Sequence, residues 1–341
     1  MLPVFRALSA TTATVALIAL AACSQTPTSN APTSSPPATP AATPAATTPE
    51  HSHGNKPKIN INSAILSELD KLEAKLGVPA LSNKIQGSRP YGSPQELVSK
   101  KVIDQQQFEQ IQDLVTVEDV VLTGEAKDID YMTKLGLMKG HLLVAKELLD
   151  QGKPDQAEPH IGHPVEEIYA DVEDQLKERN VKEFKTTLIN LQDLVKAGAK
   201  DASKVKAEFN SAMQAVDAAI ASLPEKQRQE PKFTLQVING LLDTANSEYQ
   251  ASIANGKIAA IIEYQDSRGF VTYANSLYQN ISGQIAKASP ETDRAILTSM
   301  TELKKTWPSA TAPATPVNTT DQVSQLIKTI EKDSQKLLKS V

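Results

Sequence analysis

Cysteine is almost absent from this chain of 341 residues: Cys23 is the only one. Intrachain disulfides and cysteine-based zinc sites are therefore excluded. Aromatic residues are scarce too, at 4%. A core has to come from Leu, Ile, Val and Ala, which suits packed helices. No charge of one sign dominates, since 35 Lys and Arg stand against 40 Asp and Glu for a formal net charge of −5. That balance argues against a whole-chain electrostatic grip on nucleic acid. Enzyme signatures are also missing. There is no GxSxG, phosphate loop, GxGxxG, HExxH or CxxC, so the expectation is a protein that is not an enzyme.

Early charge is limited to Arg6, and the uncharged run from Ala7 to Leu20 is shorter than the roughly 20 apolar residues of a spanning helix. It fits the apolar part of a secretory signal. The next residues, Leu20-Ala21-Ala22-Cys23, resemble the bacterial lipobox. That resemblance implies removal of residues 1–22 and acylation of Cys23. Acyl chains would then hold the protein on a membrane, facing the periplasm. By analogy with sorting rules in Gram-negative bacteria, Ser24 after the cysteine favours the outer membrane. Residues 23–55 read as the lipidated cysteine and a Pro/Thr/Ala-rich tether, ending in the polar His51-Ser52-His53-Gly54.

Residues 56–118 carry Ile59-Asn60-Ile61-Asn62, then Pro79-Ala80-Leu81, Lys84-Ile85, Arg89-Pro90-Tyr91 and Ser93-Pro94-Gln95-Glu96-Leu97. Asn62 or Ser63 is the expected cap of the first helix. This order of blocks resembles the helix-hairpin-helix domain of the ComEA competence family and of the extrinsic PsbU subunit of cyanobacterial photosystem II. DNA-binding members use Gly-hydrophobic-Gly hairpins that bring backbone N–H groups to phosphate. Here Leu76 and Val78 stand where those glycines would be, with Gly77 between them, and the second hairpin reads Val102-Ile103-Asp104. Basic and acidic residues are equal in number across the segment. DNA contact would rest on Gly77, Lys84, Arg89, Lys100 and Lys101. Otherwise the segment is a small packing or protein-docking domain.

Helical periods fill residues 119–341. Tyr131, Leu135, Met138, Leu142, Ala145 and Leu149 share one face. Pro164 reads as the start of another helix, with Glu166 and Glu167 in its first turn. Further helices are expected at about 181–197, 201–222, 231–254, 257–287, 290–306 and 320–340, with Pro308 to Pro316 as a short linker. The predicted fold is all-α, a small helix-hairpin-helix domain followed by an antiparallel helical bundle.

Within this region His141, His160 and His163 fall close together in a chain of only 5 histidines. With Glu166 or Glu167 they could hold a transition metal, Zn, Fe or Cu. Asp266 or Glu263, in the polar run Glu263-Tyr264-Gln265-Asp266-Ser267-Arg268-Gly269, could complete such a site or belong to an interhelical ion-pair network. Alternatively His163 caps the Pro164 helix, while His141 and His160 make interhelical hydrogen bonds. The function expected from sequence is a lipid-anchored, periplasm-facing binding protein. It would take a transition metal or a small polar ligand at the histidines, dock another envelope protein, or do both. The alternative is a ComEA-like lipoprotein that binds double-stranded DNA during uptake.

Overall fold

The structure, a computed structural model, describes residues 58–119 and 121–339. The signal peptide, Cys23 and the tether lie outside the described residues. Residues 55–341 form one compact unit, and the described residues are all-α apart from two ladders of two strands each.

The first lobe runs β1 (Ile59–Asn60), α1 (Leu66–Leu76), α2 (Leu81–Gly87), α3 (Glu96–Ser99), α4 (Gln105–Ile111) and β2 (Val115–Thr116), with β1 and β2 paired in parallel. Its core gathers Ile61, Leu69, Leu72, Leu81, Ile85, Tyr91, Leu97, Phe108 and Ile111. Asp104 starts α4 with a reciprocal cap: its carboxylate accepts from the Gln107 N–H, and the Gln107 side chain accepts from the Asp104 N–H. The first helix is capped differently from expectation. Ile65, not Asn62 or Ser63, precedes α1. Asn62 is committed to a two-way pair with the Tyr91 backbone, at 2.9 and 2.7 Å.

The larger lobe begins with α5 (Gly124–Asp150). The short α6 (Pro154–Ala157) and α7 (Pro159–His163) lead through a π-turn at Pro164–Ile168 into α8 (Tyr169–Glu178). Next come α9 (Lys185–Lys196), α10 (Ala202–Ala221) and α11 (Glu225–Arg228). Four long helices complete the chain: α12 (Pro231–Ser252), α13 (Ile261–Ala288), α14 (Pro290–Lys304) and α15 (Thr320–Lys339). Neighbouring members of this set pack on one another, and α5 lies along α13. One hydrophobic core, from Tyr131 to Ile330, runs through the larger lobe.

The turn from α12 to α13 is an antiparallel ladder, β3 (Ile253–Ala254) with β4 (Lys257–Ile258). Asn255 and Gly256 sit at its tip with φ of +53° and +71°. An Asn-Gly pair at two left-handed positions is the favoured hairpin chemistry, and it delays the start of α13 beyond the expected residue 257. The Pro308 to Pro316 segment is more than a spacer. Ala310 is fully buried, its N–H donates to Glu147 Oε1 at 2.9 Å, and its carbonyl accepts from Gln265 Nε2 at 3.0 Å.

Candidate metal centre

Two glycines decide where the site can form. A Cβ built on Gly269 would lie 2.3 Å from the Gly140 carbonyl oxygen, and one on Gly140 would meet the Phe270 ring and the Gly269 backbone. Only bare backbone on both helices lets α5 and α13 cross this closely. The crossing sets His141 of α5 beside Asp266, one turn before Gly269 on α13. Phe270 meets the His141 ring edge-on at 4.9 Å between centroids.

The third wall is α7, which brings His160 and His163. The helical path continues past His163 where the sequence predicts a new start. Pro164 has no N–H to give to an earlier carbonyl, and the backbone accommodates it with a π-turn closed by the Tyr169 N–H on the Pro164 carbonyl. Turns of this kind often mark functional positions. His163 therefore does not cap a helix N-terminus, and Glu166 and Glu167 do not lie in the first turn of a new α-helix.

Asp266 is the centre of the cluster. Its Oδ1 accepts from His160 Nδ1 at 2.7 Å and lies 3.3 Å from His141 Nε2, while its Oδ2 lies 3.7 Å from His163 Nδ1. The three imidazoles differ in what they can do. His141 donates from Nδ1 to the Leu137 carbonyl at 2.9 Å, which leaves Nε2 pointed at the carboxylate. His160 is held from both sides, with Nε2 2.8 Å from Gln265 Oε1. The Gln265 amide is oriented by its Nε2, which donates to the Ala310 carbonyl at 3.0 Å and to Gln156 Oε1 at 3.1 Å. Both His160 nitrogens therefore donate and neither keeps a lone pair for a metal. Sequence placed His160 among the ligands; here it positions Asp266.

His163 is the accessible member, with 32% of its side chain exposed against 2% for His141 and none for His160. Burial by itself pulls the His163 pKa down. The carboxylate of Asp266 close by, with the charges of Glu167 and Glu263, outweighs burial and raises it to about 9. Burial likewise works against an ionised Asp266, but His141 and His160 reverse it and hold the carboxyl well below the ordinary range.

His141, His163 and Asp266 each offer one ligand atom, and these atoms lie within 4.8 Å of one another. Two ligand atoms about 2.1 Å from one tetrahedral ion are separated by about 3.4 Å, so the 3.3 and 3.7 Å gaps to Asp266 need little adjustment. The His141 Nδ1–H on a backbone carbonyl is the support that metal-bound imidazoles use. Two imidazoles and one carboxylate, with a solvent-facing side, suit Fe²⁺ among other ions.

The predicted carboxylate ligands are not brought in. Glu166 is exposed. Glu167 accepts from the Leu66 N–H at 3.1 Å, which ties the π-turn to the start of α1. Asp266, named in the sequence only as a completing residue, takes the ligand position. Gln265 was missed, and nothing in its local sequence marks it.

The DNA-contact set also disperses. Arg89 donates to the Ile61 and Ala64 carbonyls. Lys100 donates to the Ser88 carbonyl and pairs with Glu96. Gly77 ends α1 at φ +63° and presents no phosphate cradle. Lys84 and Lys101 are exposed. The two best placed cations thus hold the lobe together.

Comparison with known families gives one match, to an iron permease-associated 4-helix bundle domain, over residues 224–341. It covers about a third of the chain and coincides with α12 to α15. No curated protein and no solved structure matches the chain. The match overturns the sequence reading of identity and function. It names no helix-hairpin-helix or ComEA-like domain at 56–118, and it points to iron permease association in place of a lipid-anchored binding protein or DNA uptake. It ties the chain to a membrane setting, but lends nothing to an anchor at Cys23 or to the outer membrane. Among the described residues no helix is long and apolar enough to cross a membrane. What the chain is similar to, over its last four helices, is the helical bundle that accompanies iron permeases.

Proposed function

We propose that the protein serves membrane iron transport as an accessory to a permease, carrying an iron ion as cargo at His141, His163 and Asp266. The observation that carries this reading is the meeting of two imidazoles and one carboxylate within 4.8 Å, on a chain whose last four helices match an iron permease-associated domain. A cargo site has to release its ion. The donor set fits that need, because His163 is partly exposed and gives the ion an open side, while His141 and Asp266 anchor it from within. Glu263 and Glu167 place further negative charge near His163, which favours cation entry.

The proposed partner is the permease, and no chemical step is assigned to this chain. Anaerobic titration of the full chain with Fe²⁺, followed by calorimetry, tests the reading. About one ion per chain is expected, with binding lost in His163→Ala and in Asp266→Asn. Stoichiometric binding that survives both substitutions, or no binding by the folded wild type, would overturn it.

A further inference from the structure

Residues 307–312, between α14 and α15, are fastened by their backbone to α5 and α13. The Trp307 carbonyl accepts from Arg268 Nη1, and the Ser309 carbonyl accepts from the Tyr264 hydroxyl at 3.2 Å. The Ala310 N–H donates to Glu147 Oε1 at 2.9 Å, and Arg268 Nε holds the other oxygen of Glu147 at 2.8 Å. Irregular backbone has no ladder of its own to pair these groups, so side chains of two helices supply the partners. Only Ala310 is driven fully inward, while Pro308 and Thr311 on either side of it are exposed.

That inserted residue is the first link of a relay. The Ala310 carbonyl accepts from Gln265 Nε2 at 3.0 Å, which turns Gln265 Oε1 towards His160 Nε2 at 2.8 Å. His160 Nδ1 in turn donates to Asp266 Oδ1 at 2.7 Å. Gln265, His160 and Asp266 are all buried, so water cannot readily replace a lost link. Gln156 Oε1 shares the Gln265 amide at 3.1 Å, but from an exposed residue. The buried carbonyl is the firmer hold. An amide released from Ala310 can turn over and set its donor against the His160 donor. The ring then has to move, and Asp266 loses the partner that aims it.

Resting on the reading of the histidine cluster as a cargo site, we infer that residues 307–312 form a strap that controls ion release. Seated, the strap keeps Asp266 aimed at the ion through Gln265 and His160. Lifted, it lets the carboxylate turn away. Glu147 and Gln265 are positioning residues in this scheme, and neither touches the ion. The strap can be reached from solvent at Pro308 and Thr311, whereas Asp266 cannot, so release can be set off without entering the site.

The test is the rate at which the full chain, loaded anaerobically with Fe²⁺, loses the ion to excess ferrozine. Glu147→Ala removes the partner of the Ala310 N–H and should speed the loss about tenfold, the worth of one hydrogen bond to a charged group. Gln265→Leu should do the same, and the association rate should stay unchanged in both. Because the two residues act on one relay, their effects should not add; the double variant should lose iron no faster than Gln265→Leu. Circular dichroism confirms that each variant folds. Coupling is reciprocal, so Fe²⁺ should also slow hydrogen exchange at the Ala310 amide of the wild type about tenfold. Unchanged release from the folded single variants, multiplying effects in the double variant, or no added protection of Ala310 would overturn the inference while leaving the cargo site standing. A folded wild type that takes up no Fe²⁺ would overturn both.

Discussion

Asp266 Oδ1 accepts from His160 Nδ1 at 2.7 Å and stands 3.3 Å from His141 Nε2. One oxygen therefore joins a ring that can only support the site to a ring that can ligate.

Substitutions should separate the two roles. His160→Ala removes a fully buried ring together with the partners of Asp266 and Gln265, and should cost about 3 kcal/mol of stability. His163→Ala removes a partly exposed ring and should cost less stability than His160→Ala, while abolishing iron binding. Urea melts alongside metal titrations check both. Equal destabilisation by the two variants would argue against the division.

Asp266→Asn leaves two buried histidines facing a neutral amide. Breaking a buried pair by removing one partner costs about 3–5 kcal/mol, so this variant should be the least stable of the cluster. Denaturation midpoints for wild type and the cluster variants provide the comparison.

Proton competition should govern iron affinity. His163 titrates at about 9, above its ordinary 6.5, so a metal must displace a proton below that value. The stability this proton contributes is complete below 6.5 and is lost as pH rises through 9. Iron affinity should therefore climb between pH 6.5 and 9 and then level off. Zn²⁺ titrations, free of oxidation, can measure the slope; a flat profile would show that His163 is not a ligand.

The Gly140–Gly269 crossing can be probed from the backbone. Ala at 269 would place its Cβ 2.3 Å from the Gly140 carbonyl oxygen, and a backbone atom cannot swing away. Gly269→Ala should cost about 3 kcal/mol through overpacking and should weaken iron binding by parting His141 from Asp266. A well-folded variant with wild-type affinity would show that the crossing is not what sets the site.

Asp70 supplies a test in the opposite pH direction. Burial pushes its carboxyl up, the Ser82 hydroxyl opposes this, and Glu73, Glu263 and Glu167 add to the rise, to about 7. Its neighbour Glu248 is raised by burial and by Asp70. The contribution to stability is complete below 3.8, declines as pH rises, and is gone above 7. Asp70→Asn should therefore stabilise the protein at pH 8 and lose that advantage at pH 4, as thermal melts at both values would reveal.

Much of the larger lobe was legible in advance because its apolar residues recur at helical spacing. The periodic stripe through Leu135, Met138 and Leu142 did mark a long helix, α5. The histidine cluster could be found because histidine is rare and these three fall near one another. What sequence could not separate was ligand from support. His160 and His163 are three residues apart on one helical face, and only Gln265, held by a carbonyl from the Pro-rich segment, spends the second nitrogen of His160. Pro164 misled for a physical reason: proline usually opens helices, and a π-turn that absorbs it has no sequence mark. The blocks that suggested helix-hairpin-helix chemistry are explained by packing. Leu81, Ile85, Tyr91 and Leu97 share one small core, and Arg89 braces it.

The 4-helix match begins at residue 224, so its boundary passes between the two histidines and the aspartate that face one another. An evolutionary unit and a chemical unit are here out of register. The matched segment by itself supplies Asp266 of the proposed site, while His141 and His163 come from helices that precede it.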